Sequence, residues 1–468
     1  MGDFSRFFET DGGPIIPAAN IACGVDRRSG MKQSAVRVRV MLAGVVANAA
    51  RRRPFAICVA LVLLALVSGV QGAYSAGPPS CLVSNERTGS GSRSLQEGVD
   101  TATAGDTLVV HGTCVGNSTI DKDLALRGVS NKAFGVATVD GSGLSGSVLS
   151  IVSQDCCVQA TVAISGLTIV NGNSSFGAGI INFGSDVTLT NSIVSDNNAS
   201  VSGGGIANFG DGANFGGNSS FIGELTLIDS SVSGNSATSG GGGIYNAAGD
   251  VTLTTSTVSG NEASFGGGII GGGFGRFSNF FFTNSTVSEN TASGSGGGIA
   301  LFGRAGLTMT SSEVSSNTAG ADGGGIYGEF ITGGSLSAST VTGNSAGGAG
   351  GGMFSNFSSF SISNSTVSGN SASDGGGIFN SGAIDQPGFT RFGTVILTSS
   401  TVEGNTATGS GGGIANFDGK VTFTDSTMSH NEAGDGGGIF NSGGTVTLTG
   451  SNVFANNDPN DCTGVSGC

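Results

Sequence analysis

Side chains able to move protons near neutral pH are scarce in this chain. There are two histidines: His111 lies in a strand-like run, and His430 stands where other repeat copies have a corner residue before the asparagine. Polysaccharide lyases and hydrolases need carboxylates gathered with Arg, Lys or His on one face, so that protons can be taken and returned. Between Gly177 and Asn456 the Lys and Arg residues are Arg276, Arg304, Arg391 and Lys420, spread over distant copies of a repeat. Every copy carries a serine, from Ser192 to Ser451, but identical serines without a paired base are structural and not nucleophiles. Zinc, phosphate-loop and GxSxG motifs are absent. No enzyme activity is expected, and no catalytic residue, metal or cofactor.

Three other patterns bear on recognition. Asp322, Asp374 and Asp435 precede glycine runs at one offset, with Ala349 and Ser410 in the copies between. Carboxylates two strands apart sit ~9–10 Å from each other, too far to share a Ca²⁺ bound at about 2.3–2.6 Å, so these read as solvated corners. Pairs such as Thr188/Thr190, Thr252/Thr254, Thr308/Thr310, Thr422/Thr424 and Thr447/Thr449 form a Thr-x-Thr array similar to the ice-binding face of some β-helical antifreeze proteins. Phe281, Ile396 and Ile228 interrupt it. Insertions between the copies are rich in phenylalanine: Phe209, Phe215 and Phe221, then Phe274, Phe277, Phe280 and Phe281, then Phe389 and Phe392. Loops grouped on one side of a solenoid often form its binding surface. The alternative is that these rings fold back and cover that edge.

The elements that position these residues follow from the repetition. Asn197, Asn235, Asn261, Asn290, Asn317, Asn344, Asn370, Asn405, Asn431 and Asn456 mark ten copies, each with a serine five residues earlier. Val251 and Leu253 alternate with Thr252 and Thr254, the period of a half-buried strand. Ser256–Val258 gives a second short strand and Ile244 opens a third. Short strands joined by glycine and asparagine corners build a coiled parallel structure, because one turn buries too little to fold alone. A corner asparagine tolerates the left-handed region, and stacked copies can bond side chain to side chain. The expected fold is all-β: a right-handed parallel β-helix of roughly fourteen rungs with a short N-terminal cap, a rod of about 65 Å.

Charge and cysteines bound the rest. The first 76 residues carry 9 Lys+Arg and 4 Asp+Glu; the remainder carries 9 and 28. So acidic a body repels phosphate backbones, and no nucleic acid partner is expected. Arg51-Arg52-Arg53, the 16-residue apolar run Phe55–Val70 and small residues at Gly72, Ala73, Ser75 and Ala76 have the order of a signal peptide. The expected division is leader and signal peptide 1–76 (with Met41 or Met31 as the true start), cap and first rungs 77–170, regular repeats 171–457 and C-terminal cap 458–468. A secreted or cell-surface monomer without an integral membrane domain follows. Export favours disulfides, with Cys81–Cys114 and Cys462–Cys468 the preferred pairs and the adjacent Cys156 and Cys157 left open.

The paired tetrapeptides, Gly242-Gly243-Ile244 with Val258-Ser259-Gly260-Asn261 and Gly437-Gly438-Ile439 with Val453-Phe454-Ala455-Asn456, resemble the polymorphic outer membrane protein repeats of bacterial surface proteins over 177–456. That resemblance implies a pectin-lyase-like parallel β-helix displayed at the cell surface and often adhesive. This chain has Gly where the family usually has Ala, and Val where it prefers Phe. Twelve residues follow Asn456, so the family's C-terminal membrane barrel is expected to be missing. The functional expectation is an adhesion or interaction scaffold working through loops or a lateral face, with glycans or surface and matrix proteins as partners. The alternatives are a polysaccharide-binding or polysaccharide-cleaving protein and an ice-binding face.

Overall fold

Alternating burial along short strands can be satisfied only if each strand lies beside its counterpart in the next turn. A computed structural model shows this arrangement and describes residues 80–152, 159–210, 223–386 and 389–468, all within the unit Gly77–Cys468. Each turn contributes a strand to three faces. The first face carries Ile206–Phe209, Ile244–Ala247 and their equivalents, in register Ile206↔Ile244. The second carries Asp250–Thr254 and its equivalents, with Val251 and Leu253 inward. The third carries Thr257–Ser259, paired Val258↔Val287. Two-residue strands such as Glu262–Ala263 stack into a small fourth ladder along a corner.

The fold is an all-β parallel solenoid, but it is shorter than the repeats suggest. Thirteen parallel strands stack on the second face from Asp106–Val115 to Thr445–Thr449, which makes about twelve turns and a stack of about 58 Å. The surplus came from counting each early strand-like run as a rung. Leu149–Val152 and Thr168–Val170 lie on the first and third faces of a single turn.

Its N-terminal end is closed by a different geometry. Cys81–Asn85 runs antiparallel to Asp106–Val115, and the Cys81–Cys114 disulfide ties the two strands. Helix α1, Leu95–Thr101, lays Leu95 and Val99 over the core, and its Ser94 hydroxyl accepts from the Glu97 N–H. The second disulfide, Cys462–Cys468, sits at the other end, where Cys462–Thr463 adds a last strand to the first face. Cys156 and Cys157 lie outside the described residues, as does the leader.

One continuous apolar column fills the solenoid, with Phe280, Phe282, Phe360 and Phe423 its largest fully buried side chains. Two of these fit because a neighbour has no side chain. A Cβ on Gly271 would stand 2.1 Å from the Phe280 ring, and one on Gly334 2.2 Å from Phe360. Volume is thus matched both within a turn and between adjacent turns, as close packing demands.

Candidate binding surface at the loop-bearing corner

Two polar ladders hold corners of the turns, and the second marks the corner that carries the loops. In the first, the Asn261 N–H and Nδ2 both donate to Asn290 Oδ1 at 3.0 Å, while Nδ2 also donates to the Val232 carbonyl. The pattern repeats without interruption from Asn197 to Asn431. Serines run beside it: the Ser230 N–H donates to Ser256 Oγ, which donates to the Thr254 carbonyl.

The sequence reading needs correcting twice here. Left-handed backbone belongs to the residue before the ladder asparagine, as at Gly260 (φ 61°) and Glu289 (φ 58°), and not to the asparagine itself. The last member is Asn457, not Asn456: Asn431 donates to Asn457 Oδ1, while Asn456 takes the left-handed corner beside His430. From the corner after Thr449 onward the last turn is displaced by one residue, with Met428 opposite Phe454 and Ser426 bonded to Asn452.

A second ladder at the corner between the first and second faces escaped the sequence reading. Asn182, Asn208 and Asn246 bond in series, as do Asn380, Asn416 and Asn441, and Asn246 Nδ2 caps the Gly249 carbonyl at 2.7 Å. A fixed offset of two residues after each Ile was the available signal. The insertions of the regular repeats enter at this corner. One passes within the long strand Ile269–Thr283, and another forms the hairpin Ala383–Gln386 with Phe389–Phe392.

The phenylalanines predicted for these loops separate into different roles. Phe280 is core: it pairs with Val251 and is fully buried, because the strand resumes before it. Phe209 ends a first-face strand, stacked on Phe183 at 5.2 Å and tilted against Tyr245. Phe277 is 56% exposed, with the Arg304 guanidinium 5.7 Å above its ring, within cation–π range. Phe281 points outward from the second face and is 42% exposed. Phe215 and Phe221 lie outside the described residues, as do the side chains of Phe274, Phe389 and Phe392.

Half-buried rings also line the first face in a file through Tyr327, Phe354 and Phe379, 4.9 and 5.2 Å apart and nearly parallel. Their flat surfaces are taken up by one another, which makes the file a cross-strand brace. Burial, and then Glu329, which accepts from its hydroxyl, push the Tyr327 phenol far above its ordinary range.

Beside the exposed rings lies a hollow of about 230 Å³ lined by Asn279, Phe281, Gly306, Leu307, Thr308, Gly333, Gly334 and Ser335. The same outward column carries Asp186, Glu224 and Asp250 in register on the three preceding turns. Desolvation, reinforced by Asp186 and Asp250, raises the Glu224 carboxyl above its usual range, and desolvation raises Asp186. Asp250 Oδ1 accepts from both the N–H and Nδ2 of Asn279 at 3.1 and 3.0 Å. That leaves Asn279 Oδ1 overhanging Gly306, where an added Cβ would meet it at 3.0 Å. Spacings of 38 and 26 residues hid the acidic column, because the insertion before Glu224 obscures the register.

The Thr-x-Thr array forms the second face, where Thr252, Phe281 and Thr308 are successive neighbours and Ile396 lies between Ser361 and Thr422. Asp322 and Asp374 are not merely solvated: each Oδ1 accepts a backbone N–H of the next turn, from Ala349 and Ser410. His111 packs against Phe134, with ring centroids 5.5 Å apart.

The stretch Asp229–Ala247 contains a left-handed corner, the third-face strand Ser231–Ser233, ladder Asn235, the glycine run and the first-face strand opening at Ile244. These are the parts that make one turn stack on the next. Residues 229–247 match the Chlamydia polymorphic membrane protein (Chlamydia_PMP) repeat. This match and the parallel solenoid are consistent with a β-helical family of that kind, as the paired tetrapeptides implied. No curated protein and no solved structure matches the chain.

Proposed function

We propose that this chain is a surface-exposed β-helical scaffold that binds partners through the corner between its first and second faces and the lateral face beside it. The similarity to a membrane protein repeat supports the surface location, and the order of charges and apolar residues in 51–76 supports export. The observation that carries the binding site is convergence: the insertions of the regular repeats enter at one corner, where Phe277, Arg304 and Phe281 are presented side by side on adjacent turns. Glycans and matrix proteins are the partner classes that suit such a surface. A non-catalytic role is part of this reading. His430 is engaged by Asn456, and no histidine, lysine or arginine stands in register between Asp186, Glu224 and Asp250.

The test is a binding screen of the purified protein against glycans and matrix proteins, beside a variant with residues 211–222, 273–278 and 383–392 cut to minimal turns. Binding that disappears on trimming, with an unchanged circular dichroism spectrum, is the expected result. Binding by both forms alike, or by neither, would remove the corner from consideration.

A further inference from the structure

We propose that the hollow beside Phe281 is a subsite for one neutral pyranose ring of a glycan laid across the second face, a proposal that rests on the scaffold reading and deepens it. Its volume of about 230 Å³ is below the ~300–1,000 Å³ of pockets for drug-sized ligands, so it has room for a single ring. A pyranose has an apolar C–H face and a rim of hydroxyls, and the lining answers both. Phe281 offers an exposed aromatic surface between Thr252 and Thr308. Asn279 is held by Asp250 through its nitrogen, which leaves its oxygen over the floor as an acceptor for a sugar hydroxyl. Thr308 and Ser335 add hydroxyls that can donate or accept.

The floor exists because side chains are missing. This outward column reads Asp186, Glu224, Asp250, Asn279, Gly306, Gly333, Ser359, Thr394, Lys420 and Thr445 in successive turns. Its two glycines fall immediately after the turn that carries Phe281. A Cβ at Gly333 would meet nothing within 4 Å, so packing does not demand a glycine there. No charged side chain lines the hollow, and the carboxylates of Asp250 and Glu224 continue its column. An acidic sugar is therefore opposed and a neutral one admitted.

The test titrates short linear oligosaccharides of glucose, galactose and N-acetylglucosamine into the purified protein by calorimetry, with Gly333→Leu and Phe281→Thr beside the parent. A leucine at 333 starts from a Cβ with nothing within 4 Å and takes up space in the hollow, and threonine at 281 restores the residue of adjacent turns. Affinity about tenfold weaker or worse in both variants, with thermal unfolding unchanged, is expected. Should Gly333→Leu fail to fold, Phe281→Thr decides alone. Undiminished sugar binding in the folded variants would overturn the subsite while leaving the scaffold reading intact. No sugar binding by the parent would also overturn it, including the case where the parent captures a protein through these rings. The scaffold reading then stands or falls by loop trimming.

Discussion

A buried amide in this solenoid is held from two sides, so its loss is felt in two turns. Asn317 Oδ1 accepts both the N–H and Nδ2 of Asn290, and its own Nδ2 donates to Val287 and Asn344. Asn317→Ala is expected to cost at least about 2–3 kcal/mol in denaturant unfolding, because buried donors are left unpaired. The displaced last turn gives a sharper contrast. Asn457→Ala should destabilise clearly, whereas Asn456→Gly, outside the ladder and suited to the left-handed corner there, should change stability by no more than about 0.5 kcal/mol. Equal effects would contradict the register. At Glu224, ionisation is disfavoured in the folded chain, so its contribution is complete below the ordinary glutamate pKa of about 4.3 and is lost as pH rises through the raised folded value. Glu224→Gln should therefore unfold at a higher temperature than the parent at neutral pH, and the gain should vanish in acid. Asp106 has the opposite sign. Hydrogen bonds from Arg87, Asn85 and Thr103 hold its carboxyl low, so the stability it lends is present above the ordinary aspartate pKa of ~3.9 and lost below it.

At the scale of the element, a regular turn depends on four left-handed positions, such as Gly241, Ala248, Thr255 and Gly260, and the residue there is not always one that suits them. Thr255 has φ 50° and is exposed, although it is β-branched and without the local hydrogen bonding that eases Asn or Asp into that region. Thr255→Gly is expected to stabilise the protein by about 0.5–1 kcal/mol, measured by chemical denaturation. Strands, corners and the main ladder were legible in the sequence, because an inward Val, a ladder Asn and a glycine run recur at constant offsets. The hollow was not. It arises from Gly306 and Gly333, ordinary in a glycine-rich chain, falling beside Phe281 only after the turns are stacked. The slip at Asn457 was equally hidden: Asn456 and Asn457 are adjacent and identical, and only pairing distinguishes them. Phe280 looked like a loop residue because the insertion before it conceals where the strand resumes.

For the whole molecule, stability is a sum over neighbouring turns, so a complete turn is a removable unit. Ser399 and Asp425 occupy equivalent corners with φ 49° and 50°, and the Ser400 N–H donates to Ser426 Oγ 26 residues on. Deleting Ser400–Asp425 joins Ser399 to Ser426 in phase. The product is expected to fold, with a parallel-β circular dichroism spectrum and an urea m-value reduced in proportion to its lost surface. Deleting only half that segment, 400–412, should abolish cooperative unfolding, since every later inward residue would face the wrong side.

The antiparallel strand Cys81–Asn85, bonded through its disulfide to the first strand of the stack, also has a meaning for aggregation. An open parallel edge invites another copy to continue the ladder, and a rod with two such edges is a seed for a fibre. Here the first edge runs the wrong way to template a parallel turn, and helix α1 lies over the adjoining core. A chain built almost entirely from self-complementary turns thereby has a start that its own repeats cannot extend.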